Sequence, residues 1–239
     1  MTRAALGADP PSAKLFEFRT LAGNLLAAQE EERRRVSREL HDELGQRLAL
    51  LEIQIEQMEL RLSGDAQVAS EFECLRGHVA KIADDVHRIC YRLHPAILEN
   101  LGLVAALESY CEEYSAWSGV KTRFVHCDVP MQLPKGIALC LYRVVQESLR
   151  NVAKHADTRR AIVVLRGNAE RIELIVKDCG KGFEPGRVRG KGGLGLVSLS
   201  ERVHLAGGVC NIQSAPGKGT RIQASLPILT YAEPVGAAS

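Results

Sequence analysis

Apolar residues recur at steps of three and four along two consecutive segments of the chain, a spacing that predicts two amphipathic helices. The first stripe consists of Val36, Leu40, Leu44, Leu48, Leu51, Ile55, Met58 and Leu62. The second stripe consists of Val68, Phe72, Leu75, Val79, Ile82, Val86, Ile89 and Leu93. "SGDAQ" at 63–67 separates them with a glycine suited to a helix end. Pro95 ends the second stripe, because proline disfavours helix in the residue before it. Since the connection is short, the two helices should pack antiparallel as a hairpin.

The hairpin predicts a partner, because a single pair of helices leaves part of both stripes uncovered. Two copies of the chain would bury the stripes in a four-helix bundle, so we expect a homodimer. The alternative is a hairpin packed only against the second half of its own chain.

The segment "AAQEEERRRVSRE", at 27–39, carries charges in blocks. It has two compatible interpretations. One is a solvated helix face stabilised by pairs four residues apart, such as Glu31 with Arg35, whereas Glu32 meets only Val36 at that spacing. The other is a signalling helix that carries a rotation or register change into the bundle.

After Pro95 the pattern changes to alternating helices and strands. Helices are predicted over 100–119, 134–156 and 196–208, and strands over 120–129, 159–167, 171–180, 209–215 and 220–228. The second and third strands should form a hairpin joined at Asn168, and the last two should form another. Helices interleaved with antiparallel strands predict an α+β layered sandwich.

These patterns divide the chain into four regions. They are a leader or signalling linker at 1–29, the helical hairpin at 30–95, the mixed domain at 96–228 and a loose tail at 229–239. The formal net charge of +2 gives no indication of a nucleic acid or a membrane surface as partner. No apolar run is long enough to span a membrane. The seven cysteines lack a metal-type pair spacing, which favours a reducing cytosol.

A polar face is predicted on the helix at 134–156. Glu147, Asn151 and His155 stand four residues apart and therefore share a face. Asn151 offers an amide oxygen, a hard ligand suited to Mg²⁺, and Glu147 could hold a metal-bound water. Lys154 can reach phosphate as a point charge. By itself this face would more often be only a polar helix surface.

Two glycine-containing segments follow. In "DCGKGF", Asp178 ends a strand beside Gly180 and Gly182, where a carboxylate can accept the exocyclic amine of adenine against exposed backbone. In "RGKGGLGL", several glycines lead directly into a helix, and such a helix start forms an anion cradle. These glycines are Gly190, Gly192, Gly193 and Gly195, with Arg187, Arg189 and Lys191 adding positive charge. The spacing is neither a Walker A loop nor a Rossmann fingerprint.

The order of these motifs, with a later "GKGT" at 217–220, resembles that of the Bergerat-fold ATPases. This family includes gyrase-type topoisomerases, heat-shock chaperones, mismatch-repair ATPases and histidine kinases, and the resemblance covers roughly residues 140–226. It implies a Bergerat-fold α/β sandwich that binds ATP with Mg²⁺. The residues that it implies for the nucleotide are Asn151, Lys154, His155, Asp178, Gly180, Gly182, Gly192, Gly193, Gly195, Leu196 and Thr220, with Asn151 as the Mg²⁺ ligand and Glu147 acting through water.

A histidine on the first predicted helix completes the resemblance. "RELHDELGQRL", at 38–48, resembles the phosphoacceptor box of sensor histidine kinases of the nitrate-sensor and DesK-like subfamily, which have a dimerisation domain of the HisKA_3 type. That signature, His-Asp-x-x-x-Gln, is present as His41, Asp42 and Gln46. "YRLHPAILENLGLVAAL", at 91–107, resembles the stretch that joins the hairpin to the ATPase domain in that subfamily.

The resemblance implies an ATP-dependent protein-histidine kinase. His41 would be the phosphoacceptor, Asp42 and Glu147 would serve catalysis, and Gln46 would act in a phosphatase reaction. The phosphoryl group would pass to an aspartate in the receiver domain of a response regulator of the NarL/FixJ type. The chemistry of the residues agrees, because Asp42 can bind Nδ1–H of His41 and leave Nε2 free as the nucleophile. Gly45 leaves room for a phosphoryl group or a docking partner.

Two other functions stay open at this point: a catalytically silent dimeric adaptor, and a Bergerat-fold kinase that acts on serine. Cys179 departs from the family pattern, which usually has a polar residue after the aspartate. We expect a homodimer that binds a response regulator, with no nucleic acid and no direct membrane contact. The expected location is the cytoplasm, either as a free protein or as the soluble portion of a membrane-anchored sensor.

Overall fold

The computed structural model describes residues 11–62, 66–184 and 194–228. The chain divides into two compact units, of which one is Asn24–Ala96 and the other consists of the residues before Asn24 together with those from Ile97 onward. The segments 1–10 and 229–239, predicted as part of the leader and as the tail, lie outside the described residues. In the described ranges, no helix is long and apolar enough to cross a membrane.

Two long helices supply the first unit, as the stripes predict, and the first of them begins before that unit does. They are α1, Pro11–Leu62, and α2, Ala66–Leu93. Ile55, Phe72 and Val79 form the buried core between them. The hydroxyl of Ser37 donates to the carbonyl of Cys90 at 3.0 Å, which ties the middle of α1 to the last turn of α2.

The first helix begins well before the first apolar stripe. The sequence pattern predicts a leader or linker at 1–29, whereas α1 is helical from Pro11. Its residues between 20 and 35 are mostly Ala, Leu, Glu and Arg, which have high intrinsic helix propensity. A helix can therefore extend beyond its amphipathic part without an apolar stripe to mark it.

Part of each stripe remains exposed on the hairpin. Leu51, Met58, Leu75, Ile82 and Ile89 are between 41% and 54% exposed. Within each helix these residues are seven positions apart, the heptad spacing of a helix-bundle seam. The single hairpin thus buries one row of its apolar side chains and leaves a second row uncovered.

The charged segment of α1 forms different ion pairs from those that the sequence predicts. The predicted ion pair between Glu31 and Arg35 is wrong. Arg35 instead binds Glu32 and Glu39, each at 2.6 Å. Glu31 lies 3.7 Å from Arg38. Arg35 reaches carboxylates on both the preceding and the following turn, so that Glu32 has a partner three residues away.

From Ala96 onward, the described residues form five strands and four α-helices. The helices are α3, Ala96–Asn100; α4, Gly102–Ser118; α5, Lys135–Asn151; and α6, Leu194–Leu205. A π-helical turn, Val152–Ala156, follows α5. The strands are β1, Lys121–Cys127; β2, Arg160–Gly167; β3, Arg171–Asp178; β4, Val209–Ser214; and β5, Thr220–Pro227.

The strands form one mixed sheet in the order β1-β2-β3-β5-β4. β1 pairs with β2 in parallel, and every other neighbouring pair is antiparallel. Alternate residues face the core: Val163 pairs with Val176, which pairs in turn with Ile222, and all three are buried. Helices α4, α5 and α6 pack on that face. The predicted α+β class is confirmed.

The helix predicted over 134–156 is not α-helical throughout. The sequence predicts a helix over 134–156, but the α-helix ends at Asn151 and continues as the π-turn. The next residue, Asp157, has a φ of 52°, in the left-handed region, and ends the helical segment before β2.

Candidate functional site

A cavity of about 520 Å³ lies in the second unit, where α5 and the π-turn meet β3, β5 and the start of α6. It brings together most of the residues predicted to bind nucleotide. Those in its lining are Glu147, Asn151, Lys154, His155, Asp178, Gly182, Gly195, Leu196 and Thr220. Gly190, Gly192 and Gly193 lie outside the described residues, as do Arg187, Arg189 and Lys191.

Asp178 is the buried carboxylate of this cavity. It is the last residue of β3 and is only 5% exposed. The backbone N–H of Gly180 donates to its Oδ1 at 2.8 Å. This bond fixes the plane of the carboxylate at the end of the strand. The group can therefore accept hydrogen bonds from a ligand that enters the cavity.

Gly180 lets the loop after β3 pack directly against the π-turn. A Cβ at this position would lie 2.1 Å from the carbonyl oxygen of Ala156, which is backbone and cannot swing away. The neighbouring N–H of Lys181 donates to the same carbonyl at 2.7 Å. The two backbone segments on either side of the cavity are thus in contact, and any side chain at 180 would separate them.

Gly182 has a different requirement. Its φ is +58°, and a Cβ there would lie 2.1 Å from the carbonyl oxygen of Ala215. The adjacent N–H of Phe183 donates to the hydroxyl of Ser214 at 2.9 Å. The loop is therefore held against the β4–β5 turn as well as against the π-turn.

Asn151 ends α5 with its side chain directed into the cavity. Its Nδ2 is buried and has no hydrogen-bond partner in the described part of the chain. On the preceding turn, the Glu147 carboxylate pairs with Arg150. Gly195 approaches Glu147 so closely that a Cβ would meet Oε1 at 2.2 Å. The carboxylate of Glu147 and the amide of Asn151 thus line the same cavity, and the first turn of α6 packs against Glu147.

The amide oxygen of Asn151 and the carboxylate oxygens of Glu147 are ligand atoms that suit Mg²⁺. Amide and carboxylate oxygens are hard ligands, and Mg²⁺ usually takes one or two of them beside substrate phosphates and water. Across residues 11–62, 66–184 and 194–228, no group of three or more His, Cys, Asp or Glu side chains could hold a metal ion. The amide and the carboxylate could thus supply part of the coordination of Mg²⁺, with phosphate oxygens and water supplying the rest.

Two lysines add positive charge to the lining. Lys154 was predicted, whereas Lys181 was missed. The missed lining residues also include Arg150, Val176, Phe183 and Ile222. Lys181 and Phe183 could have been found from their place between and beside the glycines of "DCGKGF". For Val176 and Ile222 the sequence pattern predicts only core residues of strands.

His41 lies in the first unit, on the surface of α1. Its side chain is 63% exposed and that of Asp42 is 70% exposed. The Nδ1 of His41 lies 3.3 Å from Oδ1 of Asp42, so a proton on Nδ1 can be donated to the carboxylate. Gln46 is also exposed. A Cβ at Gly45 would meet nothing within 4 Å, so the surface beside these side chains is open.

A second imidazole lies beside the first. The ring of His87, on α2, is stacked against that of His41 with 6.0 Å between centroids. Sequence reasoning missed His87, because its contact with His41 depends on how the two helices of the hairpin are aligned.

Two known protein families match this chain, one over the region of the cavity and one over the region of His41. Residues 136–230 match the model "Histidine kinase-, DNA gyrase B-, and HSP90-like ATPase". Residues 32–98 match the model "Histidine kinase" of the HisKA_3 type. The chain belongs to the histidine kinase family. The first match contains the cavity and the second contains His41.

Curated relatives of this histidine kinase align over most of its length. It is 34% identical to "Signal transduction histidine-protein kinase/phosphatase DegS" of Brevibacillus brevis over 208 residues, 86% of this chain and 54% of the relative. It is 32% identical to "Oxygen sensor histidine kinase NreB" of Staphylococcus carnosus, over 88% of this chain and 60% of the relative. The chain thus spans little more than half the length of these two relatives.

Among solved structures, the histidine kinase domain of the Erythrobacter litoralis EL346 blue-light activated histidine kinase is 19% identical to the chain. That match covers 77% of this chain and 94% of the other, with a TM-score of 0.47.

Proposed function

We propose that this histidine kinase uses ATP with Mg²⁺ to phosphorylate His41 and then passes the phosphoryl group to an aspartate of a response regulator. The observation that carries the proposal is the presence, in one chain, of two complementary sites. One is a cavity with a buried carboxylate, glycine loops and lysines; the other is an exposed histidine with an adjacent carboxylate. The regulator is proposed to be of the NarL/FixJ type.

The residues of the cavity suit a purine nucleotide. The carboxylate of Asp178 is buried and oriented by Gly180, so it can accept the exocyclic amine of adenine. Val176 and Ile222 give the same cavity an apolar wall against which a base can pack. Lys154 and Lys181 provide positive charge for the phosphates.

Asn151 and Glu147 are proposed to hold the metal, Asn151 directly and Glu147 through water. When bound, Mg²⁺ would neutralise charge on the phosphates. The buried Nδ2 of Asn151, which has no partner among the described residues, supports a phosphate ligand at this place, since it can donate to a phosphate oxygen while the amide oxygen holds the metal. Arg150 holds the Glu147 carboxylate on the cavity side of α5.

The phosphoacceptor reaction is proposed to occur at Nε2 of His41. A proton held between Nδ1 and Asp42 leaves the lone pair on Nε2. Nε2 would form a bond to the γ-phosphorus while the bond from that phosphorus to the bridging oxygen breaks, and ADP leaves. Asp42 then stabilises the positive charge that develops on the ring. The exposure of His41 supports this role, because the nucleotide must reach it.

The hairpin is proposed to form a homodimer. The uncovered heptad row, Leu51, Met58, Leu75, Ile82 and Ile89, supports this assembly, because a second hairpin would bury it in a four-helix bundle. Sedimentation equilibrium tests the assembly, and a monomer at micromolar concentration would contradict it. We also propose that the enzyme acts in the cytoplasm, where ATP and reduced cysteines are available.

The experiment that tests the function is incubation of the chain with γ-labelled ATP and Mg²⁺. We expect a label that is lost in acid and retained in base, as phosphohistidine is a phosphoramidate. An acid-stable label would favour the serine-directed kinase, and the absence of any label would favour the silent adaptor.

Replacing Asn151 with alanine is expected to weaken Mg²⁺-dependent ATP binding and leave the dimer intact. The loss should exceed the roughly 10- to 100-fold that removal of a supporting group typically costs, because here a ligand atom is removed. Titration of a nucleotide analogue with and without Mg²⁺ measures the effect. Asn211→Ala is the matched control, since Asn211 is an exposed residue of β4 outside the cavity lining. Equal affinities in Asn151→Ala and the control would contradict the assignment.

A further inference from the structure

The helix that carries Asn151 widens from α to π directly after that residue. The π-turn, Val152–Ala156, contains both Lys154 and His155, which line the cavity. Such π-turns are rare in proteins and occur frequently at functional sites. Because a π-turn has more residues per turn than an α-helix, it directs these two side chains differently. A contact from another element is therefore expected to stabilise the π-turn.

The hydroxyl of Tyr114 lies at the point where the helix widens. Tyr114 belongs to α4 and its side chain is completely buried. Its hydroxyl donates to the carbonyl of Leu149 at 2.8 Å. In a continuous α-helix the N–H of Ala153 would donate directly to the carbonyl of Leu149, four residues earlier. The tyrosine hydroxyl therefore occupies the carbonyl that a continuous α-helix would pair with Ala153.

We infer that Tyr114 is a positioning residue of the nucleotide site, whose hydroxyl keeps the π-turn open and so places Lys154 and His155 in the cavity. This inference rests on the proposed function only in taking the cavity as the ATP site. Tyr114 itself is not a lining residue of the cavity. It acts through the backbone on which the lining residues stand.

The far end of the π-turn explains why its shape matters to the site. The carbonyl of Ala156 accepts the N–H of Lys181, and Gly180 packs against it with no room for a Cβ. If the turn closed to α-helix, Ala156 would move relative to this loop. Tyr114 therefore influences both the helix side and the loop side of the cavity.

The environment keeps the hydroxyl protonated, as its donor role requires. Burial raises the pKa of Tyr114 above its ordinary value, and the negative charge of Asp178 acts in the same direction. The hydroxyl can thus donate to Leu149 throughout the physiological pH range.

Tyr114→Phe separates this role from simple packing. The ring also packs edge-on against Trp117, with centroids 5.2 Å apart, and lies 6.4 Å from Tyr110. Phenylalanine keeps these ring contacts and removes only the hydroxyl. Tyr110→Phe is the matched control, since it removes a hydroxyl from another buried tyrosine of the same helix.

The test is titration of both variants and wild type with a fluorescent ATP analogue and Mg²⁺, together with amide exchange. We expect Tyr114→Phe to raise the Kd by about tenfold, the lower end of the cost of losing a supporting group. The amides of Ala153 and Lys154 should exchange faster while those of β2 and β3 keep their protection, which shows that the variant is folded. Tyr110→Phe should keep the wild-type Kd. Replacement of Tyr114 by 4-aminophenylalanine, which restores a donor at the same place, should recover much of the affinity.

Three results would overturn the inference: an unchanged Kd in Tyr114→Phe, an equal loss in Tyr110→Phe, or a weakened Kd with wild-type exchange at Ala153. If wild type itself binds no nucleotide, the proposed function fails instead. The two failures are therefore distinguishable.

Discussion

Phosphorylation of the chain is expected to fall by at least about 10³-fold when His41 is replaced by glutamine, because the nucleophile is then lost. A glutamine amide resembles imidazole in size but has no basic nitrogen. The hydrogen bond from Nδ1 to Asp42, which leaves Nε2 free, is also lost. Nucleotide binding should be unchanged, since none of the described residues that line the cavity belongs to the hairpin.

The measurement compares acid-labile label from γ-labelled ATP in wild type and His41→Gln, with analogue binding measured on the same samples. His78→Gln is the matched control, because His78 is an exposed histidine of the same hairpin. Wild-type amounts of acid-labile label in His41→Gln would exclude His41 as the phosphoacceptor. A similar loss in His78→Gln would show that the effect is not specific to His41.

The second large effect is expected at Gln46, in a different reaction. Gln46 is exposed and lies four residues after Asp42, on the same face of α1. We expect its amide to orient a water molecule for attack on the acyl phosphate of the regulator. Gln46→Ala should therefore keep near-normal autophosphorylation and slow regulator dephosphorylation by about 10²- to 10⁴-fold, the range for positioned acid–base groups. Asp42→Ala should instead lose autophosphorylation, since Asp42 orients the nucleophile.

Both rates have to be measured in both variants with the cognate regulator. Gln54→Ala, which alters another exposed glutamine about two turns further along α1, serves as the control and should affect neither rate. The assigned roles would be reversed if Gln46→Ala abolished autophosphorylation and spared dephosphorylation.

Local sequence patterns determined much of the architecture. The two apolar stripes predict α1 and α2 and their ends at Leu62 and Leu93, because a glycine and a proline act on the residues next to them. Alternating apolar residues predict the strands for the same reason: side-chain direction repeats with a period set by the backbone. The motifs around Asn151, Asp178 and Gly195 also identify about half of the cavity lining before its shape is known.

The start of α1 is a weaker case. Only its amphipathic part carries a periodic signal, whereas the helix extends back to Pro11 beyond that signal. The ion pairs of Arg35 likewise depend on which side-chain rotamers the helix surface favours, and not on spacing alone. In neither place does a periodic sequence pattern mark the outcome.

Only the tertiary structure decided the shape of the helix end at the cavity. "RNVAKHA" continues the helical pattern of α5, and nothing in it marks a π-turn. The turn forms beside the carbonyl of Leu149, to which the hydroxyl of Tyr114, 35 residues earlier in the chain, donates. The contact of Gly180 with Ala156 and the stacking of His87 on His41 have the same character. Each contact joins residues that are too far apart in sequence to leave a periodic signal. Each forms only because the packing of whole helices and strands brings the two residues together.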